Sequence, residues 1–265
     1  MILLAAAGPK IFMNHRELLK NEFILWQEHN QILISEKEQE RPFDRHEYAI
    51  SWDQPAPREV VGRMAAEGCL SGEWRARARD GRVDMIHSIT NESDHVWPVA
   101  EMFFCYKHRS AVDFWNPDLD RTYVEWEGQP ICVRDRIKQM HGDQAFWPKN
   151  QFHIKQFADT YDRYDRVGLR NSPKAGWCAH RDGTTGAWMA VVSQDGEWLS
   201  GMFWERAERV AQNGPDYGCI HAGLHIGYDI EPGETVQRKG TIVIDRMSPK
   251  AFMELYHGEV DLPAG

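Results

Sequence analysis

The chain has 265 residues, with 31 Lys and Arg against 40 Asp and Glu, so its formal net charge is −9. No apolar run approaches the ~18–20 residues that span a membrane, and a 42% hydrophobic content supplies a core that a disordered chain lacks. The acidic balance argues against nucleic acid or an anionic membrane as a partner. What remains is a globular chain rich in tryptophan and histidine, with eleven Trp and twelve His.

Met1 to Gly8 is apolar and rich in small residues but lacks a basic start, so it suits at most a shortened signal segment of a secreted or periplasmic protein. The cysteines lean the other way, towards a cytoplasmic setting. Cys69, Cys105, Cys132, Cys178 and Cys219 are odd in number, widely spaced and without a CxxC pair. That pattern favours buried, reduced thiols over a disulfide framework or a four-cysteine zinc site.

Further along, Pro57 to Glu67 reads as a helix with Val60, Val61, Met64 and Ala65 on one side. Strand signals then dominate. Glu73–Arg79 and Arg82–Thr90 flank Asp80-Gly81, a dipeptide suited to a two-residue type I′ turn. Val83, Met85, His87 and Ile89 share one face of the second arm. Arg75, Arg77 and Arg79 form a charged stripe of the kind that blunts an edge strand. Trp97 to His108 is another apolar run. Ala187–Val192 and Trp198–Trp204 flank Asp195-Gly196 in a second hairpin. Tyr217–Gly227 and Thr235–Ile244 are strands parted by a Glu-Pro-Gly-Glu turn. Ser248-Pro249, followed by Phe252, Leu255 and Tyr256 and closed by Gly258, is a capped helix.

Repeated hairpins and few helices predict an all-β fold. The expected architecture is a single antiparallel β-sandwich domain over residues 1–265, of jelly-roll or supersandwich type. One stretch, 134–177, shows no sustained alternation yet is dense in His, Tyr, Trp, Asp, Lys and Arg, as binding loops are.

Several residues in this frame have chemistry to offer. Cys219, His221 and His225 project from one face of a strand. Two imidazoles on one face can act as base and orienter, or ligate a metal with His153 as a third donor. His180 is a further candidate base. Tyr161 to Arg166 interleaves phenols, carboxylates and guanidinium groups; there Tyr164 is a proton donor, and Arg163 and Arg166 neutralise a substrate carboxylate. Glu205, at a strand end, is the acid of a hydrolase reading. Trp115, Trp147 and Trp177 sit in polar, loop-like contexts where an indole can stack on a sugar ring, while Trp188 and Trp198 belong to sheet cores. No Gly-x-Ser-x-Gly elbow and no glycine-rich phosphate loop occur, which argues against serine-hydrolase and nucleotide chemistry.

Two stretches carry a resemblance. Ile89–Asp94 through Trp97-Pro98-Val99 is similar to a strand-turn-strand of galactose-mutarotase-like β-sandwiches, whose following strand ends in a histidine; here it ends at His108. Ile230-Glu231-Pro232-Gly233-Glu234-Thr235 resembles the turn before the last strand of many carbohydrate-active sandwiches. Together they cover about a quarter of the chain. Arg109 follows His108 where the epimerases carry proline. The resemblance implies a sandwich acting on sugars, and one acid and one base flanking an anomeric hydroxyl.

The leading expectation is a carbohydrate-active enzyme that cleaves a glycosidic bond by His/Tyr acid–base chemistry, through lyase-like β-elimination or hydrolysis. An aldose epimerase and a non-catalytic carbohydrate-binding module are the alternatives. No cofactor is required by the sequence, although a divalent metal is compatible with it. The expected partner is a carbohydrate.

Overall fold

A computed structural model describes residues 1–27, 31–35, 44–142, 149–155, 177–213 and 218–260. The chain begins with β1 (Ile2–Ala7), β2 (Lys10–His15), β3 (Glu22–Gln27), β4 (Gln31–Ser35) and β5 (Asp44–Glu47). It continues through β6 (Ala49–Ala56), β7 (Glu59–Ala66), β8 (Leu70–Arg79), β9 (Arg82–Asn91) and β10 (Trp97–Lys107). Next come β11 (Thr122–Trp126), β12 (Gln129–Cys132), helix α1 (Val133–His141), β13 (Lys149–Ile154) and β14 (Trp177–Thr184). Last are β15 (Trp188–Val192), β16 (Leu199–Trp204), β17 (Ala207–Asn213), β18 (Cys219–Ile230), β19 (Thr235–Asp245) and helix α2 (Pro249–Glu259).

These strands form two sheets packed as a sandwich, the all-β class that the hairpin pattern predicts. The ten-stranded sheet runs β1-β2-β3-β10-β18-β17-β13-β14, with β4 on β10 and β5 on β4. The nine-stranded sheet runs β12-β11-β15-β16-β19-β9-β8-β7-β6. Among the described residues, pairing is antiparallel except between β13 and β14. Alternation does the work: β9 buries Val83, Met85, His87, Ile89 and Asn91 and turns the residues between them outward. Between the sheets Phe104 of β10 stacks on Trp204 of β16, with centroids 4.6 Å apart, and meets Trp74 of β8 edge-on at 5.4 Å. His87 lies within 5.8 Å of both Trp74 and Phe104. Burial drives its pKa down to about 3, so it is a neutral core ring.

Four local expectations are corrected. Pro57–Glu67 is no helix: adjacent Val60 and Val61 are β-branched and both buried, and β7 pairs with β6 and β8. Gly62 allows this, because a Cβ there would sit 2.8 Å from Ile50 and Trp52. The arginine stripe is not on an edge, since β8 lies inside the sheet; Arg75 pairs with Glu59 and Glu73, and Arg79 with Asp84. Only Gly81 of the Asp80-Gly81 turn has positive φ (71°), so the turn is not type I′, which needs both residues left-handed. The 134–177 stretch is partly regular, containing α1 and β13, while 143–148 and 156–176 lie outside the described residues.

Helix α2 starts as its sequence predicts, with Ser248 Oγ accepting from the Ala251 N–H at 3.2 Å, but it runs through Gly258 to Glu259. Phe252 lies on the nine-stranded sheet against Trp188 and Phe203, 5.4 and 5.8 Å away. Gly201 makes room for its ring, since a Cβ would fall 2.7 Å from Phe252 Cζ. Replacing Phe252 by Ala should therefore destabilise the protein by about 3–5 kcal/mol, read as a lower midpoint in urea unfolding at unchanged slope. A loss under about 1 kcal/mol would mean the helix is not held through this ring.

Candidate functional site

β18 lies in the middle of the ten-stranded sheet, between β10 and β17, and is buried on both faces. Ile220, Ala222 and Leu224 point into the sandwich. Cys219, His221, Gly223 and His225 point the other way, as their spacing predicts, and none of the side chains among them is more than 4% exposed. Strand register brings neighbours onto this outer face. Cys105 lies opposite His221, Phe103 opposite Gly223 and Glu101 opposite His225 on β10, while Arg209 of β17 lies opposite Gly223.

Two polar groups occupy this face. At one end Glu101 Oε1 lies 2.7 Å from Arg209 Nη2, with side chains 2% and 4% exposed. The pair crosses over Gly223, whose missing Cβ would stand 2.7 Å from both Arg209 Cγ and Glu101 Oε1. Arg209 also sits over the Phe103 ring, 5.3 Å from its centroid. Burial raises the Glu101 carboxyl from 4.5 to about 7, Arg209 opposing and Glu208 adding to the rise. Glu208 is itself raised by burial, against the pull of Tyr228 Oη, which donates to its Oε1 at 2.8 Å. His225 Nδ1 lies 3.1 Å from the same oxygen, and burial beside Arg206 and Arg238 lowers its pKa to about 3. Glu101–Arg209 and Glu208–His225–Tyr228 are thus two neighbouring clusters that influence each other electrostatically, each holding a carboxyl of raised proton affinity.

At the other end Cys105, Cys219 and His221 bring one sulfur or nitrogen each to within 4.8 Å of one another. Cys219 Sγ is 3.4 Å from His221 Nε2, and His221 stacks on Phe103 at 5.1 Å.

The other sequence candidates do not converge here. His180 projects from the opposite face: it stacks on Phe152, bonds Asn150 Oδ1 at 2.8 Å and lies 2.9 Å from His141 Nε2 at the end of α1. Its pKa is lowered to about 4 by burial, then by His141 and Arg136, as suits a core ring. Glu205 lies in the β16–β17 turn, where it accepts from the Lys239 N–H at 3.0 Å. It lines a groove of about 770 Å³ on the nine-stranded sheet, with Arg82, Asp84 and Glu259. The acid that joins β18 is Glu208, three residues on, beside a register shift between Ala207 and Arg209. His108, the end of the resembling stretch, is a core residue 3.0 Å from Ser200 Oγ. Trp115 is 46% exposed and lies over Gly218, the residue before β18. Tyr164, Arg163, Arg166 and Trp147 lie outside the described residues, as do the side chains of Trp177 and His153. The backbone of His153 pairs with Arg209. Of the metal set His221, His225 and His153, His225 is committed to Glu208 at the far end of the face.

No protein-family model matches the chain, and no curated protein matches it. Among solved structures it is similar to a galactose mutarotase related enzyme from Lactobacillus acidophilus, with 7% identity and a TM-score of 0.49 over 94% of this chain and 98% of that one. A galactose mutarotase-like protein from Lactobacillus casei has 9% identity and a TM-score of 0.45 over 92% of this chain and 100% of that one. An aldose epimerase homologue from C. elegans has 8% identity and a TM-score of 0.42, covering 94% and 99%. The likeness is one of fold, and it spans nearly the whole chain rather than a quarter. The expectation of glycosidic-bond cleavage is overturned. The groups offered for it do not share a cleft: His221 lies on the outer face of β18, His180 faces the core against Phe152, and Glu205 is held in a turn by the Lys239 N–H.

Because the folded protein holds a proton on Glu101 that the unfolded chain gives up near pH 4.5, this residue's stabilising contribution is complete below that pH. It is lost as pH rises to about 7. Wild-type stability should therefore fall across that window relative to Glu101→Gln, measured by chemical unfolding at each pH. Parallel curves for the two proteins would refute a raised Glu101.

Proposed function

We propose that the protein is an acid–base enzyme that interconverts the anomers of a free aldose, with Glu101 and Glu208 as the proton-exchanging pair. The observation that carries this reading is the buried Glu101–Arg209 pair with Glu208 within its electrostatic reach, where burial raises both carboxyls and puts Glu101 at about 7. A carboxyl poised near neutrality exists in both protonation states and can give or take a proton with little driving force lost. Anomer exchange needs such a pair and nothing more. One carboxylate takes the proton from O1 while the other carboxylic acid protonates the ring oxygen, and the C1–O5 bond breaks. The open aldehyde turns about C1–C2 and the steps reverse on its other face, returning both protons. Arg209 stabilises negative charge that grows on oxygen during these transfers. The stretches Ile89–Val99 and Ile230–Thr235, similar to those of carbohydrate-active sandwiches, support a sugar as the substrate class.

The test is the rate of anomer equilibration in a panel of common aldoses, followed by polarimetry or by magnetisation exchange between anomeric protons. The protein should accelerate at least one of them, and Glu101→Gln should cost about 10²–10⁴-fold in kcat with the circular dichroism spectrum unchanged. Sugar binding without any acceleration would leave a carbohydrate-binding module and sink the enzymatic reading.

A further inference from the structure

We infer that Cys105, Cys219 and His221 form a binding site for a thiophilic divalent cation of the Zn2+ class, at the end of the β18 face away from the carboxyls. The three donors come from two adjacent strands. Cys105 lies opposite His221, and Cys219 opposite Lys107, so the two cysteines are diagonal neighbours on one face. Their ligand atoms already lie within 4.8 Å of one another. A tetrahedral ion with metal–sulfur bonds of about 2.3 Å and metal–nitrogen bonds of about 2.0–2.1 Å holds its donors roughly 3.5–3.8 Å apart. Rotamer adjustments of about an ångström close that gap, and the Cys219 Sγ to His221 Nε2 separation, 3.4 Å, is near its liganded value.

The donor chemistry selects the ion. Two thiolates and an imidazole are soft to borderline ligands that suit Zn2+ and exclude Mg2+ and Ca2+, which take oxygen. A disulfide is the competing fate of two close cysteines. Diagonal positions on antiparallel strands place Cα atoms about 7–8 Å apart, beyond the usual disulfide range of about 4.4–6.8 Å. The thiols are therefore kept reduced and adjacent, the state a metal needs. Binding is balanced without redox change: the cation enters, the two Sγ–H protons leave to solvent, and a bis-thiolate complex with no net charge results. Neutrality matters because all three side chains are buried, and a neutral complex avoids the cost of an isolated buried charge. Phe103 stacks on His221 with an interplanar angle of 21°, holding the ring that presents the nitrogen. Three protein donors also leave a fourth tetrahedral position for an exogenous ligand, the arrangement of reactive rather than purely structural zinc sites.

The site stands apart from the sugar reading, and its test is spectroscopic. Full-length protein, reduced and freed of metal with a chelator, is titrated with Co2+. One equivalent per chain should bind, with a thiolate-to-cobalt charge-transfer band in the near ultraviolet and intense tetrahedral bands in the visible. Zn2+ should displace it. Cys105→Ser and Cys219→Ser should each weaken binding by more than about 100-fold, beyond what the loss of a merely supporting contact costs, while Cys69→Ser and Cys132→Ser leave the spectrum unchanged. Should either serine variant at the site fail to fold, the 113Cd chemical shift of the wild-type cadmium form reports sulfur and nitrogen ligation directly. Wild-type protein that gives no charge-transfer band, a band that survives Cys105→Ser or Cys219→Ser, or a cadmium shift without sulfur ligation would overturn the assignment.

Discussion

β18 is buried on both faces, and this constraint shapes everything around it. Its inner face is apolar, with Ile220, Ala222 and Leu224 against the core under Phe104 and Trp204. Its outer face carries Cys219, His221, Gly223 and His225 and is just as dry. A buried polar face is unstable unless each group finds a partner. The neighbouring strands supply ion-pair and ring partners for several of them: Arg209 meets Glu101, Glu208 meets His225, and Phe103 stacks on His221. Gly223 is the hinge of this arrangement, because any side chain there would part Arg209 from Glu101.

The same dehydration acts differently at the two ends. Where carboxyls gather, loss of water costs the anion most, so Glu101 and Glu208 bind their protons more tightly even with Arg209 in contact. Where sulfur and nitrogen gather, loss of water leaves neutral donors that a cation can charge and neutralise in one step. The groove on the other sheet is the counter-case. Arg82, Asp84 and Glu259 there are pairs partly open to solvent, and such pairs contribute little to stability. Its volume of about 770 Å³ would by itself invite a ligand, and electrostatics points away from it.

Much of the fold was legible because strands carry a period of two. The hairpins around Asp80-Gly81 and Asp195-Gly196 and the inward set on β9 follow from alternation, as does the shared face of His221 and His225. Legibility failed where register or a bulge decides. Glu205 is the more conspicuous acid, at the end of an apolar strand, but its carboxylate satisfies a backbone N–H of β19. Glu208 reaches β18 only because the pairing slips between Ala207 and Arg209. His180 faces the core, stacked on Phe152 of the adjacent strand, a placement no pattern of neighbouring residues marks.

By itself the sequence determined the sandwich class, the α2 cap at Ser248 and the face on which the β18 histidines stand, because these depend on neighbours a few residues apart. Only the tertiary structure decided what meets those histidines. Glu101 and Arg209 are far apart along the chain, as are Cys105 and Cys219, and no local pattern marks either pair. They become partners through the β10–β18–β17 register, and their chemistry follows from burial that no residue carries on its own. The sequence names the groups that can ionise; the folded sheet sets which of them are dried, and so which hold a proton or offer a ligand.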